Sequence, residues 1–388
     1  MKNDQNFKNS NNLTGFMKLQ GVKGTTDFYP QEREVWNYLA NKFRGMALKY
    51  GFLEVETPAF ENLSTLCEKE GEEIKGQIFT LEKRSNEQLG LRFDITVPCA
   101  RMFVAKQKEI PKPAKWFYIT RMWRYEQPQK GRLREFYQFG VELFGSDKID
   151  ADAQIISLII DSFKSLGLAE KDFCIKINDR DLLEGLLEEM KIKNITETIT
   201  VIDKIAKISE KDFIAELEKL GIKQETIIAL DKLLRAKDIS KIKTDNAKAR
   251  LGLEKVKAIL ELLKDKKEYV EFDLSCARGL AYYTGTVFEG YDRDGKYRAL
   301  CGGGRYDKMI EMFGGMSEPA CGFGIGFTTV QLLLEEKNLI PSSDLGVDYF
   351  IVTMDDKFKN YAINVAQKLQ AQYRADYDIM GRAFKKQI

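Results

Sequence analysis

The chain has no histidine in 388 residues. That absence excludes Ser–His–Asp triads, imidazole general bases and histidine-ligated metals. Any chemistry must use arginine, carboxylates, tyrosine, backbone dipoles or a cofactor. No run of about 18 apolar residues occurs, so no membrane span and no membrane partner are expected. The six cysteines (Cys67, Cys99, Cys174, Cys276, Cys301, Cys321) form no C-x-x-C pair. They read as reduced thiols of a cytoplasmic protein rather than a disulfide framework or a zinc site. A charge excess is missing as well. Lys plus Arg number 61 and Asp plus Glu 59, a net +2, so nucleic-acid contacts must come from local clusters.

What is present is a composition of 44% hydrophobic and 31% charged residues, that of a cored globular chain. Its length calls for two or three domains. Residues 1–19, rich in Asn and Lys, are expected to be a disordered arm without the apolar core of a secretory signal. Over 30–50, Val35, Leu39, Phe43 and Ala47 recur at helical spacing behind Pro30, with Gly51 as the stop. FLEVETPAF (52–60) alternates like a strand and breaks at Pro58; it serves equally as a dimer surface or as an ordinary edge strand. Residues 77–81 and 90–94 read as short strands and 95–107 as a helix. KWFYITRMWRYE (115–126) and EFYQFGVELFG (135–145) read as a hairpin around a long basic loop. A helix is expected at 150–166 and a strand at 171–178.

Residues 182–266 contain no proline and repeat a helical period, exemplified by Ile202, Ile205 and Ala206 and by Leu253, Val256, Leu260 and Leu263. This stretch reads as a helical insertion. Strands and glycine-rich loops return over 267–345, with Asp294-Gly295 as a hairpin turn. Residues 346–388 open a further β-α-β unit.

Several residues could carry chemistry. In 121–138, Arg121, Arg124, Lys130, Arg132 and Arg134 outnumber Glu126 and Glu135, and Phe136 stands among them. Arginines on facing strands can grip a triphosphate and an aromatic ring can stack on a base; a solvated hairpin loop explains the same charges. Asp94, Glu126 and Glu142 are embedded in apolar strands, where an acid is costly unless paired. Gln138 and Glu142 share one strand face and suit an ammonium or imidazole ligand, or else Glu142 pairs with an arginine. In 278–284, Arg278 precedes Gly279, and an extended chain would send Tyr282 and Tyr283 to opposite faces, so that only one lines a pocket. The glycine runs at 302–304 and 322–326 match neither phosphate-loop nor dinucleotide fingerprints. Glycines within a strand signal close approach of a backbone or a ligand.

Together these segments resemble the class II aminoacyl-tRNA synthetases of the histidyl family over about residues 20–388. ETPAFE (56–61) resembles motif 1, and RMWRYEQPQKGRLREFYQFGVELFG (121–145) resembles motif 2. RGLAYYTGTVFE (278–289) and CGGGRYD (301–307) resemble the two histidine-specific motifs, and LRFDITVPCAR (91–101) resembles the segment that meets the amino acid. The resemblance implies an α+β fold: a six-stranded antiparallel sheet with flanking helices in a homodimer. It implies a catalytic domain at 20–345 with the insertion at about 182–266, and a partial α/β anticodon-binding domain at 346–388.

The resemblance also implies roles. Arg124 holds the ATP α-phosphate, Glu126 positions the adenine end, Phe136 stacks on adenine, and Arg132, Gly304 and Arg305 complete the ATP site. Asp94, Thr96, Gln138, Glu142, Tyr282 and Tyr283 hold histidine, and Arg278 stabilises the α-phosphate during attack. The implied substrates are L-histidine, tRNA(His) and ATP with magnesium on its phosphates; no zinc is expected. The chain departs from the family pattern in three places. Ala281 stands where an acid is usual, Thr328 and Thr329 stand where motif 3 has Glu-Arg on the γ-phosphate, and the anticodon unit is about 40 residues long. The last two features favour an alternative reading, a non-catalytic paralogue acting as regulatory subunit of ATP phosphoribosyltransferase.

Overall fold

The computed structural model describes residues 20–67, 76–83, 86–205, 208–278, 282–342 and 345–388. The expected arm at 1–19, and the readings placed on Ala206, Gly279 and Ala281, lie outside the described residues. The chain divides into two compact units, one comprising 1–27 and 36–340, the other 28–35 and 341–388.

The first unit is built on one eight-stranded sheet. Its strands are β1 (Leu53–Glu54), β4 (Ala114–Trp123), β5 (Glu135–Phe144), β6 (Phe173–Asp179), β7 (Val270–Phe272), β8 (Thr286–Asp292), β9 (Cys301–Arg305) and β10 (Ala320–Gly326); β2 (Phe60–Asn62) and β3 (Leu89–Leu91) form a separate pair. The sheet order is β1-β4-β5-β10-β9-β8-β6-β7. The six inner strands run antiparallel, and the short edge strands β1 and β7 pair parallel to β4 and β6. Within FLEVETPAF, Leu53 and Glu54 form the edge strand β1, which ends before Pro58, and Phe60 opens β2.

Thirteen helices carry the remaining order among the described residues: α1 (Pro30–Lys49), α2 (Leu63–Cys67), α3 (Thr96–Ala105), α4 (Ile149–Ser165), α5 (Arg180–Glu189), α6 (Ile195–Ile202), α7 (Glu210–Lys219), α8 (Gln224–Leu234), α9 (Ala247–Leu262), α10 (Met309–Met312), α11 (Phe327–Glu336), α12 (Lys359–Gln370) and α13 (Phe384–Gln387). In the stretch 182–266, α5 and α9 pack on each other, and α9 also packs on α4 and β6. Two glycines permit this approach: a Cβ at Gly252 would lie 2.3 Å from the Leu182 nitrogen, and one at Gly185 would lie 2.5 Å from the Ala249 nitrogen. The helices α6 to α8 run between them in sequence.

Period-2 alternation gives the central strands two unlike faces. One face is aromatic. Phe43 of α1 stacks on Phe139 of β5 at 5.0 Å between centroids, Phe139 meets Phe323 of β10 at 5.5 Å, and Phe327 of α11 meets Trp36 at 5.1 Å. Burying rings of this size contributes about 1.5–3 kcal/mol each. The opposite face carries glycines. Gln138, Gly140 and Glu142 of β5 face Gly326, Gly324 and Gly322 of β10, and the last two face Gly302 and Gly304 of β9, in register with Glu289 and Val287 of β8.

In the second unit, β11 (Tyr349–Ile351) pairs parallel with β12 (Ala375–Tyr377) across α12, a single β-α-β crossover.

Candidate active site

The glycine face floors a cleft of about 1160 Å³. Each glycine makes room for a longer side chain lying across it. A Cβ at Gly324 would fall on the Gln138 amide, one at Gly302 would meet the Arg278 guanidinium, one at Gly140 the Tyr118 hydroxyl, and one at Gly322 the Tyr306 hydroxyl and Glu142. The motifs separated in sequence therefore meet on four adjacent strands.

The hairpin loop between β4 and β5 forms one wall. Arg124 donates through Nε to the Phe93 carbonyl at 3.1 Å and lies 5.4 Å from the Phe136 ring centroid. Arg132 pairs with Glu126, and all five of these residues line the cleft. Among the other cations of this segment, Arg121 pairs with Glu135 at 3.3 Å, and Arg134 donates to the Glu126 carbonyl at 3.0 Å over the Tyr125 ring.

Arg278 forms the opposite wall. It has a left-handed backbone (φ 49°), pairs with Glu289 and lies 5.8 Å from the Tyr283 ring centroid. Its Nε is buried without a hydrogen-bond partner among the described residues.

Asp94, Thr96, Gln138, Tyr282 and Tyr283 also line the cleft. Asp94 accepts from the Thr96 N–H at 2.6 Å, which fixes the start of α3. The two tyrosines contradict the alternation expected for 278–284. Tyr282 lies in a turn rather than a strand, so both rings reach the cleft, 4.7 Å apart.

Glu142 is a correction of a different kind. It is fully buried beneath the cleft floor and accepts from the hydroxyls of Thr96 at 2.9 Å, Tyr118 at 3.5 Å, and Tyr306. All three donors line the cleft. Burial pushes the Glu142 carboxyl up to about 8; its hydrogen bond from Tyr306 pulls the other way, and the Asp94 charge adds to the rise. Burial also holds the phenols of Tyr118 and Tyr306 well above their ordinary range, so both remain donors. Glu142 thus accepts from three hydroxyls that line the cleft, while its own carboxyl is not part of the lining.

Gly304 and Arg305 are not part of the cleft lining. The Tyr283 ring covers Gly304, where a Cβ would lie 2.9 Å from it. Arg305, one residue on, points to the other face of β9. There it bonds Asp152 of α4 at 2.5 Å, Asp307 at 3.1 Å, and the carbonyls of Ser146 at 2.8 Å and Lys148 at 3.2 Å. Every strong donor is spent inside the fold.

Sequence reasoning passed over Tyr118, Tyr306, Glu289 and Arg92. Tyr306 and Glu289 sit inside the quoted motifs, and period-2 counting from Gln138 and Glu142 would have reached Tyr118. Arg92, 4% exposed, bonds the Pro58 carbonyl at 3.0 Å and the Arg121 carbonyl at 3.1 Å, tying the ETPAFE segment to β4; no local pattern announces such a staple.

Residues 24–330 match the histidyl-tRNA synthetase family. The chain belongs to that family. It is 38% identical to the histidine–tRNA ligase of Natronomonas pharaonis over 377 residues, covering 95% of this chain and 87% of that one. It is similar to the crystal structure of histidyl-tRNA synthetase from Nostoc sp. PCC 7120, with TM-score 0.81 and 26% identity over 96% of this chain and 88% of that one. A structure titled ATP phosphoribosyltransferase regulatory subunit/histidyl-tRNA synthetase from Bacillus halodurans C matches with TM-score 0.79 at 24% identity, covering 95% of each chain, and shows the shared fold alone. Histidine–tRNA ligases at 36–38% identity leave the regulatory-subunit alternative not favoured. No helix among the described residues is long and apolar enough to cross a membrane.

Proposed function

We propose that the chain is a histidine–tRNA ligase. It activates L-histidine with ATP to histidyl-adenylate, releases pyrophosphate, and passes the histidyl group to the 3′ end of tRNA(His). The observation that carries this reading is the meeting, over one glycine floor, of two arginines and a ring with a separate polar pocket. Arg124, stacked on Phe136, and Arg278, whose buried Nε has no hydrogen-bond partner among the described residues, suit a nucleotide. Asp94, Gln138 and the hydroxyls ordered by Glu142 suit a small ligand with an ammonium and an imidazole.

The chemistry needs no imidazole from the protein. The histidine carboxylate attacks the α-phosphorus in line, and pyrophosphate leaves. The nucleophile is already ionised, so catalysis consists of positioning and charge stabilisation. Arg124 grips the α-phosphate, Phe136 stacks on adenine, and Glu126, held by Arg132, faces the adenine end. Arg278 neutralises the phosphorane as charge develops, and Glu289 keeps its guanidinium over Gly302. Among the described residues, no three carboxylates or thiols cluster closely enough to hold a metal ion. Magnesium enters this reading on the phosphates of the MgATP substrate, as the family resemblance implies.

We also read the chain as cytoplasmic and homodimeric, with the second unit as the opening β-α-β of an anticodon-binding domain. The test is histidine-dependent ATP–pyrophosphate exchange followed by aminoacylation of tRNA(His). Exchange that requires histidine and no other amino acid is the expected result. Its absence from folded protein would return the reading to the regulatory paralogue.

A further inference from the structure

Pyrophosphate leaves with several negative charges, and the end of the cleft that receives it needs cations that are not already neutralised. Most cationic groups lining the cleft are engaged. Arg132 pairs with Glu126, Arg278 with Glu289, Arg293 with Glu271, and Lys176 and Lys237 share Asp273. Arg124, Lys204 and Arg298 line the cleft without a carboxylate partner among the described residues. Arg124 is already assigned to the α-phosphate in the proposed reading, and Lys204 lies just beyond α6, in the stretch read as an insertion.

Arg298 has a fixed address. It stands in the connection from β8 to β9, and residues on both sides of it are bonded to the start and the flank of α11. The Tyr297 hydroxyl donates to Glu336 at 2.8 Å and the Leu332 carbonyl at 3.3 Å, and Lys296 pairs with Glu336 at 2.6 Å. On the other side, the Gly326 N–H donates to the Leu300 carbonyl at 3.3 Å. The chain 297–300 therefore runs along α11, from its C-terminal half at Tyr297 to its start at Leu300, and the second and third residues of α11 are Thr328 and Thr329. Both threonines line the cleft, and the Thr328 hydroxyl is buried without a partner among the described residues. The motif 2 hairpin closes on the same spot, since a Cβ at Gly131 would lie 3.9 Å from the Thr329 hydroxyl.

We infer that Arg298, with the Thr328 hydroxyl, binds the β- and γ-phosphates of ATP and the departing pyrophosphate. This rests on the proposed ligase reading and names the group that grips the far end of its nucleotide. A guanidinium on a tethered connection does from one strand over what a side chain at Thr329 is too short to do. It offers bidentate donors to phosphate oxygens, and the Thr328 hydroxyl, which lines the same cleft, supplies one more.

The assignment is tested by equilibrium titration of the full chain, wild type and R298A, with ATP, AMP, pyrophosphate and histidine, alongside pyrophosphate exchange. AMP lacks the phosphates assigned to Arg298, so the expected signature is selective. R298A should bind ATP and pyrophosphate roughly 10- to 100-fold more weakly, the loss of charge-assisted hydrogen bonds. AMP and histidine affinity should stay within about two-fold, and R298K should recover part of the ATP affinity. Equal weakening of AMP and ATP, unchanged ATP and pyrophosphate affinity, or a defect confined to transfer onto tRNA would each overturn the assignment. A wild-type chain that binds no ATP would overturn the ligase reading itself, so the two failures are distinguishable.

Discussion

Arg278 and Arg305 sit on opposite faces of one sheet, and their difference separates chemistry from scaffold. Both are ion-paired arginines beside glycine runs. Arg305 spends its donors on Asp152, Asp307 and two carbonyls and is 6% exposed. Among the described residues, Arg278 has one carboxylate partner and a buried Nε without a hydrogen-bond partner. An arginine near a glycine run is therefore informative only once its donors are counted. The two faces of β9 teach the same lesson, since Gly302 clears space for the Arg278 guanidinium, whereas Gly303 lies against the Gly322 carbonyl and the Phe288 ring.

The sharpest way to break this contrast is a pair of neighbouring substitutions. Gly302→Ala displaces the Arg278 guanidinium. It should lower the exchange rate by about 10²–10³-fold, as expected for loss of a preorganised charge stabiliser, while the melting temperature stays near wild type. Gly303→Ala drives a methyl to 2.2 Å from a backbone carbonyl, so it should cost about 1–3 kcal/mol or more of stability in thermal or urea unfolding. Equal activity loss and equal destabilisation in both variants would erase the distinction.

Next in size, R305A strands Asp152 in the interior. Removing one partner of a buried pair costs about 3–5 kcal/mol, visible as a shifted unfolding midpoint, and the protein that remains folded should keep its ATP affinity. A selective loss of ATP binding would return Arg305 to the nucleotide site.

E142Q should raise the KM for histidine more than that for ATP, because the three hydroxyls it orders lose their acceptor geometry. It carries a pH signature too. The Glu142 pKa is raised in the folded state, from 4.5 to about 8, so the native protein holds a proton that the unfolded chain has released. The stability this provides is fully present below about pH 4.5 and is lost as pH rises through about 8. E142Q should flatten that decline in a pH series of unfolding midpoints; an unchanged slope would assign it elsewhere. The smallest effect belongs to Arg121, whose side chain is 43% exposed in its pair with Glu135. R121A should change stability by no more than about 1 kcal/mol and leave exchange near wild type.

Much of the fold is legible in the sequence because it rests on periodicity. The apolar spacing of α1, the break at Pro58, and the alternation in β4 and β5 all express local geometry. The motif residues around Arg124, Phe136 and Gln138 could likewise be named, since a strand face can be counted. What escapes is what depends on tertiary pairing. Arg305 reads as a nucleotide ligand until Asp152, more than 150 residues away, takes its donors. Glu142 reads as a pocket acid until Tyr118 and Tyr306 close over it. Tyr282 and Tyr283 follow a turn, so strand alternation misplaces one of them. Arg298 gives no signal, because its position is set by Tyr297 and Leu300 reaching α11.

The most direct measurement is histidine-dependent ATP–pyrophosphate exchange by R278A beside wild type, at matched folded concentration, with histidine binding measured on the same samples. The account predicts that exchange falls by about 10²–10³-fold while histidine still binds. Wild-type exchange by R278A, or parallel loss of histidine binding and exchange, would contradict it.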